Sequence, residues 1–265
     1  MKLEQKTNTK IDNTVEMEAE MFQPWSTFVM KTKLPPITLN KMLKITDKIL
    51  ADTATAKSKG DELVGEIKEE FYIDHKILDR ENLMEFFLGN VKEFVIRQTI
   101  QMMPTKYMEI MNDEWYTKML SIWIVSQKDN EYNPIHIHTE SSVSCVMYLK
   151  IPKYLPSRKT LNRQKKTKEK VIDTDGSITF VHNVVQDPIW GSSTMSFQPE
   201  VGDFFIFPAM MKHFVYPFRT ADGKGERRSV SFNAVFTSKA IEEDRKKNPL
   251  VEFGLGKTSA KGIKQ

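Results

Sequence analysis

Beyond Trp115 the chain is a succession of short apolar runs, each closed by a turn signal, with no helical pattern between them. The runs are Met119 to Ser126, Ser141 to Ile151, Ser177 to Val181, Ser193 to Phe197, Phe204 to Phe207, His213 to Tyr216 and Arg228 to Phe236. Lys128-Asp129-Asn130, Gly202-Asp203 and Pro208 punctuate them. Short strands at this spacing predict an antiparallel sandwich or barrel, because parallel pairing would need helical crossovers. The first hundred residues have another texture. Leu39, Met42, Leu43, Ile49 and Leu50 recur at helical spacing behind Pro35-Pro36-Ile37-Thr38, where Thr38 is the expected cap. A second helical stripe, Phe87, Val91, Phe94 and Val95, runs from about Glu81 to Met103, and Pro104 stops it. The expected fold is therefore an all-β core with helical additions (α+β), N-terminal helices packing on one sheet.

The 265 residues, 40% hydrophobic and 28% charged, can bury a sizeable core. The one cysteine, Cys145, rules out an internal disulfide and any multi-cysteine metal site. No apolar run is long enough to span a membrane, and the first residues lack a signal-peptide pattern, so a cytoplasmic protein is expected. Residues 1–20 read as a flexible leader, 21–250 as one domain (helical front 36–110, β core 115–237) and 251–265 as a basic tail. The net charge of +4 is concentrated: Lys153 to Lys170 carries eight basic residues and one acid, Glu169. That stretch, within an insertion over 153–173, reads as a solvated surface segment. It leaves nucleic acid open as a partner, but lacks the interleaved aromatics of a base-stacking platform.

Three regions carry candidate chemistry. In Asn133 to Glu140 a period of two puts His136, His138 and Glu140 on one strand face. Two imidazoles and a carboxylate facing one way are costly unless a cation or substrate pairs them. His213 follows Pro208 by five residues, at the start of a strand that can return beside that hairpin. Three nitrogen or oxygen ligands with open positions suit non-haem Fe(II). Finally, alternation in Arg227 to Asn233 places Arg227, Ser229, Ser231 and Asn233 on one face and Arg228, Val230 and Phe232 on the other. An arginine fork with a hydroxyl two residues on makes a carboxylate clamp. Phe205, Phe207 and Tyr148 are candidate inward residues; Trp123 and Trp190 fit a pocket wall or, as the favoured reading, ordinary core.

Taken in order, His-x-His, Ser-x-Val-x-Tyr-Leu, Gly-Asp-x-x-x-Phe-Pro-…-His and Arg-x-Ser-x-x-Phe-Asn resemble the Fe(II)- and 2-oxoglutarate-dependent oxygenases over roughly residues 115–237. The likeness is to a prolyl-hydroxylase-like branch common in phage and marine bacterial genomes. The resemblance implies a double-stranded β-helix (a jelly roll, cupin-like). It implies Fe(II), 2-oxoglutarate and O2 as cofactor and cosubstrates, and hydroxylation of a C–H bond with release of succinate and CO2. It makes His136 and His213 iron ligands and gives Arg227 the distal carboxylate of 2-oxoglutarate, with Ser229 beside it; Tyr148 and Lys150 are further cosubstrate candidates. His138 stands where the superfamily usually has an acid; the rival register, His138-x-Glu140, restores the carboxylate. The prime substrate stays open among protein side chains, metabolites and nucleobases, as does oligomeric state. Two other readings compete: a β-helix binding or particle-associated module without catalysis, and a cupin-type metalloenzyme that does not use 2-oxoglutarate. The latter predicts that Arg227 points away from the metal.

Overall fold

The computed structural model describes residues 28–102, 108, 115–156, 158–167, 174–182 and 193–247. The expected leader (1–20) and tail (251–265), Pro104 and Trp190 lie outside them. Two antiparallel sheets form the frame. The larger has strand order β1-β8-β5-β10-β3-β2 and the smaller β4-β9-β6-β7. The strands are β1 (Met30–Lys33), β2 (Glu70–Tyr72), β3 (Trp115–Gln127), β4 (Asn133–His136), β5 (Val143–Lys150), β6 (Ile178–Val181), β7 (Thr194–Phe197), β8 (Asp203–Pro208), β9 (Lys212–Val215) and β10 (Arg227–Ser238). This is the double-stranded β-helix arrangement, with sheets that face each other without closing into a barrel.

Five α-helices accompany the sheets among the described residues. They are α1 (Pro36–Ala51), α2 (His75–Arg80), α3 (Met84–Met102), α4 (Arg158–Thr167) and α5 (Lys239–Lys247). Met42 and Ile45 of α1 and Phe87, Val91 and Phe94 of α3 are buried against Met147, Phe204, Ile206, Val230 and Phe232. The opposite faces of the same strands supply a second, inner cluster, in which Val146, Tyr148, Phe205 and Phe207 meet Ile178 and Phe180 of the small sheet. Period 2 thus splits β5, β8 and β10 between an outer apolar core and an inner face that is apolar on β8 and polar on β10.

Several boundaries differ from expectation. Thr38 is buried rather than capping: α1 starts two residues earlier, with Pro36 in the first turn, where proline's missing N–H costs nothing. The second helix starts at Met84, because Asn82 at φ +56° separates it from α2. The side chain of Asp74 caps α2 by accepting the Lys76 N–H. Within the basic insertion, residues 158–167 are helical, α4, where only a solvated segment was expected.

Candidate metal and cosubstrate site

β4 and β9 pair antiparallel with His136 opposite His213. The turn after Pro208 accomplishes this: Met211 N–H bonds back to the Pro208 carbonyl, and β9 returns between β4 and β6. The alternation expected through Glu140 stops early. β4 ends at His136, Glu140 sits exposed in a turn at φ +60°, and it stays outside the cluster. His138 reaches the cluster from coil, its N–H bonded to the Ala209 carbonyl. The ligand atoms of His136, His138 and His213 lie within 4.8 Å of one another. His75, which opens α2, and the exposed His182 are not part of this group.

Two carbonyls orient the rings. His136 Nδ1 is 2.7 Å from the Pro134 carbonyl and His213 Nδ1 is 2.8 Å from that of Met211, so each donates outward and leaves Nε2 as an inward lone pair. His138 Nε2 is 3.3 Å from His213 Nε2. Two imidazole nitrogens, each about 2.1 Å from a shared ion, sit roughly 3 to 3.4 Å apart, so the spacing fits a metal. Burial, with the neighbouring His136 and Lys59 charges, pushes His138 down to about 3; burial also holds His136 low and His213 well below the usual range. All three are neutral donors at physiological pH. Phe207, its ring 4.8 Å from that of His213, and Trp123, 6.1 Å from His138, wall the cluster.

The same cavity is lined by Tyr148, Arg227, Ser229 and Ser231. Arg227 is 2% exposed. Its Nη1 donates to Gln127 Oε1 (2.9 Å) and its Nη2 to Tyr148 Oη (3.0 Å), with the guanidinium 4.6 Å from the centre of the Tyr148 ring. Nε has no partner, and among the described residues no carboxylate pairs with this cation. Burial pushes the Tyr148 hydroxyl up and that of Tyr154, also near Arg227, up to about 12, so both stay protonated. No hydrogen bond satisfies Tyr154 Oη. Lys150 faces the helices instead, bound to Asp47 and Glu226, and does not line this cavity. Arg228, on the opposite face from Arg227, is neutralised by the same two acids.

Sequence reading missed several wall residues, of which four are instructive. Leu63, Val64 and Ile67 come from the irregular segment before β2, where no periodicity exists to flag them. Gln127 was detectable: it ends an apolar strand on the face of Trp123 and Val125, opposite Arg227 in the ladder.

Comparison with known proteins follows the same outline. No curated protein matches the chain. Among solved structures, a Pseudomonas putida prolyl-4-hydroxylase is 14% identical, with 77% of this chain and 91% of that one covered and a TM-score of 0.46. A Trichoplax adhaerens prolyl hydroxylase, in complex with a hypoxia inducible factor peptide fragment, is 10% identical, with 84% and 86% covered and a TM-score of 0.48. An oxidoreductase of the 2OG-Fe(II) oxygenase family from Burkholderia pseudomallei is 13% identical over about half of each chain, 54% and 55%, with a TM-score of 0.32. The family model described as "Putative 2OG-Fe(II) oxygenase" matches residues 121–233, the stretch that holds all three clustered histidines and Arg227. Over residues 121–233 this chain is therefore similar to the 2OG-Fe(II) oxygenases.

Proposed function

We propose that the chain is a non-haem Fe(II)- and 2-oxoglutarate-dependent dioxygenase that hydroxylates a C–H bond of its substrate. In this reading His136, His138 and His213 hold Fe(II). Arg227, with Tyr148 and Ser229, binds the distal carboxylate of 2-oxoglutarate. The observation that carries it is Arg227: a buried cation with a free N–H and, among the described residues, no acid beside it, in the cavity of the three imidazoles. A buried charge left unpaired costs several kcal/mol, so the site is built for an anionic ligand. A cupin-type centre without the keto acid gives Arg227 no such task.

Bound Fe(II) would supply the open coordination positions at which the keto acid and dioxygen meet, coupling decarboxylation to succinate and CO2 with oxidation of the substrate. The protein's part is geometric and electrostatic. The Pro134 and Met211 carbonyls fix two imidazole tautomers, so the donors point inward before a metal arrives. Tyr148 stacks under Arg227 and accepts a hydrogen bond from its Nη2, which limits the fork to few orientations. Phe180, Phe205 and Phe207 dry the inner wall, which strengthens the charge interaction.

The test is anaerobic calorimetric titration of Fe(II) and then 2-oxoglutarate, followed by succinate measurement on admission of air. Arg227→Ala should weaken 2-oxoglutarate binding by roughly 30-fold or more while metal affinity stays near wild type. Equal loss of both, or 2-oxoglutarate binding indifferent to the substitution, would refute the assignment.

A further inference from the structure

Arg227 is held by Gln127, and Gln127 is neutral. The two are direct cross-strand partners between β10 and β3, and Gln127 is fully buried. Its amide has no freedom of orientation. Nε2 donates to the Glu131 carbonyl, which leaves Oε1 as the acceptor for Arg227 Nη1. The carbonyl is itself anchored, because the Glu131 carboxylate accepts the Lys128 N–H at 2.8 Å and closes the turn that follows β3. The chain of contacts therefore runs from a pinned turn through one amide to one arm of the guanidinium.

An acid at this position would make the same bond to Arg227 and neutralise it. Thirteen-residue β3 offers the contrast on its neighbouring face: Ser126, one residue earlier, bonds Glu69 and Glu226, and Glu226 neutralises Arg228. The two adjacent arginines of β10 are thus treated oppositely. Arg228 is given acids and Arg227 only an amide and a phenol. We infer that Gln127 is a positioning and specificity-determining residue that fixes the Arg227 fork while leaving its charge unspent, so that the site selects a cosubstrate with a distal carboxylate over its uncharged analogue.

This inference rests on the cosubstrate role proposed for Arg227, and the experiment separates the two. Dissociation constants are measured by calorimetry, in Ni(II)-loaded protein, for 2-oxoglutarate and for its distal amide, 2-oxoglutaramate. In the wild type the carboxylate should bind more tightly. Gln127→Glu should lower that preference by about tenfold or more, because Arg227 then already has a carboxylate. Gln127→Met removes the acceptor but adds no charge; it should weaken both ligands at least severalfold and keep the preference. A purely structural role for Gln127 would move the two ligands together in both variants. An unchanged preference in a folded Gln127→Glu protein overturns the inference. So does wild-type affinity in Gln127→Met, which decides the matter if Gln127→Glu does not fold, since the second glutamate oxygen would face the Glu131 carbonyl. If Arg227→Ala itself leaves 2-oxoglutarate binding intact, it is the underlying assignment that fails.

Discussion

The third imidazole decides how this site handles charge. A ligand set of two histidines and a carboxylate leaves a divalent ion with one net positive charge; three neutral histidines leave two. In the proposed site His138 would supply the extra neutral donor, held low by burial and by its neighbours. His138→Ala should reduce Ni(II) or Fe(II) affinity by roughly 100-fold or more, since loss of even an outer partner costs about 10- to 100-fold. His138→Asp should keep affinity within about tenfold of wild type, because a carboxylate restores what the imidazole gave. Glu140→Ala should change nothing, as its side chain lies in an exposed turn. Calorimetry on the three variants checks this, and wild-type binding by His138→Ala would return the ligand role to another group. The histidine pair was legible in the sequence as His-x-His. The less favoured register, His138-x-Glu140, rests on strand alternation that β4 does not continue, since it ends at His136.

Among the elements, β2 shows what the sequence could not display. It is a three-residue edge strand whose first residue, Glu70, is an acid 1% exposed, so no apolar alternation marks it. Likewise β1 reads Met-Lys-Thr-Lys and is fixed by tertiary pairing: Lys31 and Lys33 both bridge to buried Asp203 on β8. Among the described residues Glu70 has no such partner. Neither carboxylate oxygen makes a hydrogen bond, and burial, with the nearby Glu131 charge, pushes the group up to about 8. Its proton is therefore held more tightly in the native state than in the unfolded chain. The associated stability is fully present below about 4.5 and is lost as pH rises through about 8. Glu70→Gln has no proton to lose. It should match the wild type near pH 4.5 and exceed it by on the order of a few kcal/mol at pH 9. Urea melts at several pH values test the sign, and parallel curves for the two proteins would mean that Glu70 finds a charge partner.

At the scale of the whole molecule, one sheet separates stability from chemistry. Its outer face, under α1 and α3, holds the larger apolar cluster, while its inner face carries Arg227, Ser229, Ser231 and Tyr148. The division was readable in β10, where Ser229 and Ser231 alternate with Val230 and Phe232, and in the Phe87 stripe of α3. It was unreadable where coil, not strand, builds the wall. Phe87 lies at the centre of the outer core, fully buried, with its ring 5.5 Å from Phe232 and 6.2 Å from Phe204. Phe87→Ala should cost about 3–5 kcal/mol, because the cavity it leaves is walled by strands that cannot collapse. Yet the rings it loses face away from the site, and the register of β10 against β3 and β5 is kept by backbone bonds along its length. The affinity of the folded fraction for metal and for 2-oxoglutarate should therefore stay within about twofold of wild type, whereas Arg227→Ala should lose 2-oxoglutarate binding without a comparable loss of stability or of metal affinity. Denaturant melts paired with calorimetry on both proteins make the comparison. If Phe87→Ala weakens 2-oxoglutarate binding in proportion to its loss of stability, the two faces of the sheet are coupled, and the helices belong to the working parts of the site.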